Sequence, residues 1–249
     1  MKRFDVFTLV PEAFDWFIEQ HPVSTAIGSG AASISVHNIR DHSWLPHHEV
    51  DDSPYGGGPG MVTRVDVVGY ALEEVFGMPA RRVREGREVF VLAAGGRPFD
   101  HRLALELSNS GRDLVLLCGR FEGFDARVEA LFASGSISVG PYVLAGGEVA
   151  ALAVLEAVIR HLPGSLGNQD SVVEESFSEG LEGMVEYPHY TRPREYEGVE
   201  VPPVLISGDH GAIARWRRAN ARRSPWERPV EAPGPTGGVA AGDGGKDVH

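Results

Sequence analysis

Short apolar runs alternate with helix-type patterns over the first 161 residues, and this alternation restricts the possible folds more than any other feature of the chain. The apolar runs that predict strands are residues 4–10, 33–39, 88–94, 113–119 and 136–140. The patterns with helical periodicity are residues 12–20, 65–77, 101–111, 125–133 and 147–162. Continuously apolar strands that alternate with helices are typical of a parallel sheet covered on both faces. The sequence therefore predicts an α/β fold for this part of the chain.

The character of the sequence changes at Pro163 and Gly164, which end the last of these helices. The residues that follow, to about Pro203, are polar and predict a linker with short local structure. Residues 207–223 have a helical pattern, with Ser207 or Asp209 as the N-cap. The stretch from about residue 231 consists mainly of Gly, Pro, Ala and Asp, and we expect it to be disordered.

Three rare features exclude whole classes of protein. Lysine occurs only at positions 2 and 246, so neither a Walker A loop nor a Schiff-base lysine can be built. Cys118 is the single cysteine, which rules out an internal disulfide and a Cys-rich zinc site. It ends an apolar run, so we expect a small core residue rather than a nucleophile. No run of about 18 apolar residues and no secretory signal are present, so we expect no membrane contact and a cytoplasmic location.

The positive charge of this acidic chain is concentrated in one segment. The net charge is −12, yet residues 215–228 hold six Arg and one Glu, together with Trp216 and Trp226. A basic, Trp-containing segment on an acidic protein indicates a local contact with a polyanion. The alternative is a solvated arginine face on an amphipathic helix.

Four glycine-bearing loops are the strongest candidates for a ligand site. They are residues 53–60, 93–100, 118–125 and 139–148, and the last three follow predicted strands. Loops at the carboxyl ends of parallel strands are where open α/β sheets bind ligands. None matches G-x-G-x-x-G or a P-loop, which disfavours ordinary dinucleotide binding. Glycine at these positions serves either tight turns or the close approach of backbone to a ligand.

Five motifs, in order and at matching spacing, resemble the bacterial tRNA (guanine-N1)-methyltransferase family. They are "VDDSPYGGGPGM" (50–61), "LVLLCGRFEGFDARV" (114–128), "SVGPYVLAGGE" (138–148), "PHYTRP" (188–193) and "VPPVLISGDH" (201–210). The family belongs to the SPOUT superfamily, and the resemblance implies a parallel sheet with a deep trefoil knot plus a small helical C-terminal domain. It also implies methylation of N1 of guanine 37 in tRNA from S-adenosylmethionine, by a homodimer whose active site lies at the interface.

The resemblance assigns roles to parts of the chain. Residues 1–163 would form the knotted cofactor-binding domain, 164–180 a linker, 181–230 the tRNA-binding helical domain and 231–249 the disordered tail. The positions that would bind S-adenosylmethionine are Ala94, Gly119, Glu122, Gly123, Val139, Tyr142, Leu144, Gly146 and Gly147. Those that would contact the tRNA anticodon stem-loop are Asp51, Gly60, Arg215, Trp216 and Arg218.

Methylation of guanine N1 requires a base and a cationic group. Guanine N1 carries a proton at neutral pH, so a carboxylate must remove it and a positive group must stabilise charge on O6. The resemblance assigns these roles to Glu175 and Arg160, with Asp170 and Glu174 as alternative bases. For Arg160 the alternative is a helix C-terminal residue favoured by the dipole. Asp51 and Glu122 would face the guanine, unless they only cap their loops.

The chain departs from the family pattern at several positions. Phe121 stands where the family has Tyr, Pro141 where it has Asp, Ala94 where it has Pro, and Glu175 where it has Asp. The resemblance leaves room for a magnesium requirement, although the sequence has no hard-ligand cluster at recognisable spacing. Two other functions stay open: a SPOUT methyltransferase acting on another RNA nucleotide, and a non-catalytic RNA-binding protein.

Overall fold

The computed structural model describes residues 1–165 and 175–225, and their contacts divide the chain into two compact units, Met1–Gln169 and Asp170–His249. Within the described residues, no helix is both long and apolar enough to cross a membrane.

The first unit is built on a five-stranded parallel sheet. Its strands are β1 (Lys2–Thr8), β2 (Ala32–Asn38), β5 (Arg87–Pro98), β6 (Asp113–Cys118) and β7 (Gly135–Ser138). Their order across the sheet is β2-β1-β6-β5-β7, and every pairing is parallel. Two short strands, β3 (Asp51–Asp52) and β4 (Val62–Thr63), form a separate antiparallel hairpin.

Within residues 1–165, seven α-helices accompany the sheet. They are α1 (Asp15–Ile18), α2 (Val23–Gly28), α3 (Val65–Phe76), α4 (Ala80–Gly86), α5 (His101–Asn109), α6 (Ala126–Phe132) and α7 (Glu148–Ile159). Their buried side chains form two apolar clusters. One joins α1, α2, α5 and α7 to Phe4 and Val6 of β1, and the other joins α3, α4 and α6 to Phe7. Because neighbouring strand residues point to opposite faces, the helices cover both faces of the sheet, as the apolar strands predict.

Strand β5 is longer than its apolar run and is interrupted. Both Leu92 and Arg97 pair with Ile137 of β7, so residues 93–96 leave the ladder and the strand then resumes. An alanine Cβ at position 96 would lie 2.6 Å from the backbone nitrogen of Ile137, whereas one at Gly95 would meet nothing within 4 Å. The sequence predicts a strand ending at residue 94, because two glycines normally end a strand.

The second unit, in its described part, contains a short hairpin and one α-helix. The hairpin pairs β8 (Glu195–Tyr196) with β9 (Val199–Glu200), and the helix is α8 (His210–Asn220). The side chain of Asp209 accepts a hydrogen bond from the backbone N–H of Ala212, which confirms Asp209 as the N-cap. The helix is shorter at both ends than the predicted 207–223. The predicted tail, 231–249, lies outside the described residues.

Candidate active site

The loops that follow β6 and β7 meet at the carboxyl edge of the sheet. The backbone N–H of Gly147 donates to the carbonyl of Gly119 over 2.9 Å, and Arg120 forms an antiparallel bridge with Gly146. An alanine Cβ at Gly147 would lie 2.8 Å from the Cα of Cys118. Only glycine at position 147 therefore allows the two loops to pack this closely. The contact brings together three predicted cofactor positions, Gly119, Gly146 and Gly147.

The same edge includes the point where β5 leaves the ladder. Leu92 and Cys118 are paired neighbours in β5 and β6, and a Cβ at Gly147 would approach both. Ala94 follows Leu92 by two residues and is exposed. The three loops predicted to bind the cofactor thus begin from adjoining positions.

A buried carboxylate joins these loops to the first strand, and the sequence does not predict it. Glu148, the first residue of α7, is buried and accepts a hydrogen bond from the Thr8 hydroxyl over 2.8 Å and one from Arg120 over 3.3 Å. The salt bridge with Arg120 ties the loop after β6 to the start of α7. The sequence signal was weak, because an acidic residue in the first turn of a helix is ordinary on dipole grounds alone.

Cys118 behaves as the small core residue that the sequence predicts. It is fully buried, and burial, together with the nearby charge of Glu148, raises the pKa of its thiol well above the usual value. A thiol held protonated is a poor nucleophile, so cysteine chemistry has no support at this edge.

The glycine-rich loop 53–60 packs through its hairpin against the loop after β6. Thr63 of β4 donates its N–H to the carbonyl of Gly123 over 2.9 Å and accepts from the N–H of Asp125 over 3.0 Å. The N–H of Glu122 donates to the carbonyl of Met61 over 3.2 Å. Asp51, opposite Thr63 in the hairpin, is therefore held beside the loop that carries Glu122 and Gly123.

Glycine is required in this loop for two different reasons. Gly56, Gly57, Gly58 and Gly60 all have positive φ, which side-chain-bearing residues rarely adopt. Only at Gly60 does crowding add to this, because an alanine Cβ there would lie 2.5 Å from Oε1 of Glu122. Gly60, a predicted tRNA-contact position, and Glu122, a predicted cofactor position, are thus in direct contact.

We expect Gly60→Ala to displace Glu122 and to raise the KM for the cofactor by about tenfold, equivalent to ~1.4 kcal/mol of binding. Gly57→Ala is the matched control, because it imposes similar backbone strain with nothing within 4 Å of the new Cβ. Steady-state kinetics of both variants would measure the difference. Equal KM values would show that the contact with Glu122 has no part in binding.

The loop after β7 presents apolar side chains to solvent. Tyr142, Val143 and Leu144 are exposed, and the Tyr142 hydroxyl donates to the carbonyl of Val139 over 3.2 Å. Val149 on the first turn of α7 is exposed as well. Val139 is partly buried and packs on the core.

The predicted catalytic pair lies in different units. Arg160 follows the last residue of α7, and its carbonyl accepts a hydrogen bond from the Ser165 hydroxyl over 2.9 Å. Glu175 belongs to the second unit, where its carbonyl accepts from the N–H of Ser178 over 3.1 Å. The alternative bases Asp170 and Glu174 lie outside the described residues.

The predicted RNA-contact residues on α8 divide into two kinds. Arg215 and Arg218 are exposed. Trp216 is half-buried, with its ring edge-on to Tyr187 at 6.4 Å and to Tyr190 at 6.2 Å. The indole is thus part of an aromatic cluster within its own unit, and its contact with RNA stays a prediction.

No group of three or more His, Cys, Asp or Glu side chains suited to a metal ion occurs in residues 1–165 and 175–225.

Comparison with known proteins gives consistent matches along nearly the whole chain. Residues 1–231 match the family described as tRNA (Guanine-1)-methyltransferase TrmD. A tRNA (guanine-N(1)-)-methyltransferase of Rhodopirellula baltica is 46% identical over 232 residues, covering 91% of each chain. Relatives of the same name from Geobacter sulfurreducens and Frankia alni are 44% and 50% identical, covering 88% and 91% of this chain and 86% and 83% of their own.

Proposed function

Because this chain belongs to the tRNA (guanine-1)-methyltransferase family, we propose that it methylates N1 of guanine 37 in tRNAs that also carry guanine at position 36. The family implies S-adenosylmethionine as the methyl donor. The observation that carries the proposal is the convergence of Asp51, Gly60, Glu122, Gly146 and Gly147 at one sheet edge. Since its substrate is tRNA, we propose that it acts in the cytoplasm.

The residues at this edge suit S-adenosylmethionine. Glycine backbone at positions 119, 123, 146 and 147 allows a flat ring to approach N–H and C=O groups closely. Tyr142 and Leu144 add exposed apolar surface on the same loop, and the carboxylate of Glu122 can attract a cationic donor. Ala94 and Val139 are proposed to complete the site from the neighbouring loops.

Proton removal is the step for which the chain must supply a group. We assign the N1 proton of guanine to the carboxylate of Glu175, and stabilisation of the charge on O6 to the guanidinium of Arg160. The bound donor supplies a methyl group already activated by its sulfonium. Once N1 has lost its proton, the N–CH₃ bond forms while the C–S bond breaks and its electron pair returns to sulfur. Asp51 can accept a hydrogen bond from the guanine amino group.

The position of Arg160 supports an active site shared between two copies of the chain. Arg160 lies twelve residues beyond Glu148, so about 18 Å of helix α7 separate it from the cofactor edge of its own chain. A guanidinium this far from its own cofactor loops fits the proposal that it serves the loops of a second copy. The exposed Tyr142, Val143 and Val149 provide apolar surface for such a homodimer.

We also propose that the first unit is threaded into a trefoil knot. Support comes from the gap in β5 at residues 93–96 and from the close passage of Gly147 between the ends of β5 and β6. In the second unit, the exposed Arg215 and Arg218 are proposed to bind phosphates of the anticodon stem-loop.

Labelled methyl transfer tests the proposal. Transcripts with guanine at positions 36 and 37, and a matched transcript with adenine at 37, would be incubated with labelled S-adenosylmethionine, with and without Mg²⁺. We expect label on the first transcript alone, at N1 of guanine 37. Label at another nucleotide would instead identify a different RNA target, and binding without transfer would favour an RNA-binding role. Activity only in the presence of Mg²⁺ would establish a metal requirement.

A further inference from the structure

Two large aromatic side chains lie exposed together on the first unit, outside the site described above. Trp44 is 55% exposed and Tyr70 of α3 is 46% exposed. Their ring centroids are 5.3 Å apart at an interplanar angle of 73°. Aromatic side chains contribute to binding mainly through the surface that they bury, so covering an exposed aromatic pair would be favourable in free energy.

The segment that carries Trp44 is fixed in place. The buried hydroxyl of Ser43 donates to the carbonyl of Glu49 and accepts from the N–H of Leu45. Leu45 is partly buried against the apolar cluster of α3, α4 and α6. The indole therefore stands on an ordered loop, and less conformational entropy is lost when a ligand binds it.

Helix α3 holds the other side of the pair. Glu74 lies one turn beyond Tyr70 on the same helix and pairs with Nδ1 of His42 over 2.6 Å. This contact joins α3 to the segment containing Trp44. The two rings are thus presented from two elements that are tied to each other.

The elements that carry the aromatic pair are joined to the hairpin of the candidate site. The carbonyl of Val50 accepts a hydrogen bond from the N–H of Arg64 over 2.9 Å. Val50 directly precedes Asp51 of β3, and Arg64 directly precedes the first residue of α3. Tyr70 is five residues into α3, about 7.5 Å along its axis. A nucleic acid that spans more than one nucleotide beyond Asp51 can therefore reach the elements that carry this pair.

The charges around the pair favour stacking over phosphate binding. Arg40 and the imidazoles of His47 and His48 are exposed, but Asp41 and Glu49 are exposed among them. A surface of mixed charge gives little net attraction to a polyanion. Flat aromatic faces, in contrast, bind unpaired bases whatever their sequence.

We propose that Trp44 and Tyr70 form a stacking platform, in which the face of Trp44 stacks on one unpaired nucleobase of the tRNA anticodon loop, other than the target guanine, and Tyr70 supports the indole edge-on. The proposal rests on the proposed function, because it assumes that the anticodon loop reaches the hairpin of Asp51. The platform holds the loop by one stacked base and leaves the methyl-transfer chemistry to the groups already assigned.

Binding of an anticodon stem-loop RNA to the full chain would test the platform. We expect Trp44→Ala to weaken binding by about 5- to 150-fold, the range of one base stacked on an aromatic ring. Trp44→Phe should restore most of the affinity. The dependence of affinity on salt should keep its slope, because no phosphate contact is lost. Tyr70→Ala tests the second ring where Trp44→Ala fails to fold.

Trp16→Ala is the matched control. Trp16 is 57% exposed, but its edge partner Phe17 belongs to the apolar cluster on the opposite face of the sheet. We expect this variant to bind the RNA as the wild type does. An equal loss in Trp16→Ala and Trp44→Ala would overturn the proposal, as would wild-type affinity in both platform variants.

Abasic substitutions identify the nucleotide. With the base removed at each loop position in turn, one position should abolish the difference between wild type and Trp44→Ala. Coupling at no position would overturn the proposal, and so would a change of oligomeric state in Trp44→Ala with unchanged RNA affinity, which would assign the surface to protein contact. Methyl transfer by the wild type, measured separately, decides the proposed function, so the two failures are distinguishable.

Discussion

Replacing Glu175 with Gln is expected to lower kcat for methyl transfer by about 10²- to 10⁴-fold, the usual contribution of a general base. The amide keeps the size of the side chain but cannot take the N1 proton. Binding of S-adenosylmethionine should stay within about twofold of wild type, because Glu175 is assigned to the guanine and not to the cofactor. Single-turnover methyl transfer with saturating cofactor measures the effect on chemistry alone.

Glu179→Gln is the matched control for this variant. Glu179 is an exposed carboxylate four residues away in the same unit, and its replacement should leave kcat unchanged. Glu175→Asp should retain part of the activity, because it keeps the carboxylate on an arm shorter by one methylene. If Glu175→Gln has wild-type kcat while Asp170→Asn or Glu174→Gln does not, the base is one of those two residues.

Gly96→Ala is expected to destabilise the first unit by about 3 kcal/mol or more, at the upper end of overpacking effects. The new Cβ would lie 2.6 to 2.7 Å from three backbone atoms of Ser136 and Ile137, and strand backbone cannot move aside as a flexible side chain can. The free energy of unfolding from urea titrations would measure the loss.

The adjacent glycine gives an internal reference. A Cβ at Gly95 would meet nothing within 4 Å, so Gly95→Ala should change stability by less than about 1 kcal/mol. If both variants unfold at the same urea concentration, the close packing of the β7 backbone against residue 96 is contradicted.

Patterns that depend on local sequence predicted much of the first unit. The runs at 113–119 and 65–77 correspond to β6 and α3 within one residue at each end, because a continuous apolar strand and a helix ending at glycine are decided locally. Helices α2 and α4 were missed, since "VSTAIG" and "ARRVREG" are short and mix good and poor helix formers. Their stability comes from burial, which no local pattern displays.

The candidate site was only partly predictable for a related reason. Glycine spacing pointed to the loops at 118–125 and 139–148, and the structure places them against each other. The contact between Gly60 and Glu122, and the burial of Glu148 against Thr8, join residues far apart in the chain. Such contacts depend on strand order, and alternation of strands and helices does not fix strand order.

The strand order has a consequence for how the protein is made. Strand β1 lies inside the sheet, where Phe4 is paired with Ile34 on one side and Leu114 on the other. At ribosomal rates of about 5–20 residues per second, the second neighbour emerges roughly 5–20 s after the first strand. Thr8 waits still longer for Glu148, 140 residues later. The first strand therefore leaves the ribosome with Phe4, Val6 and Phe7 uncovered and one side unpaired, and during that interval these side chains are exposed to aggregation.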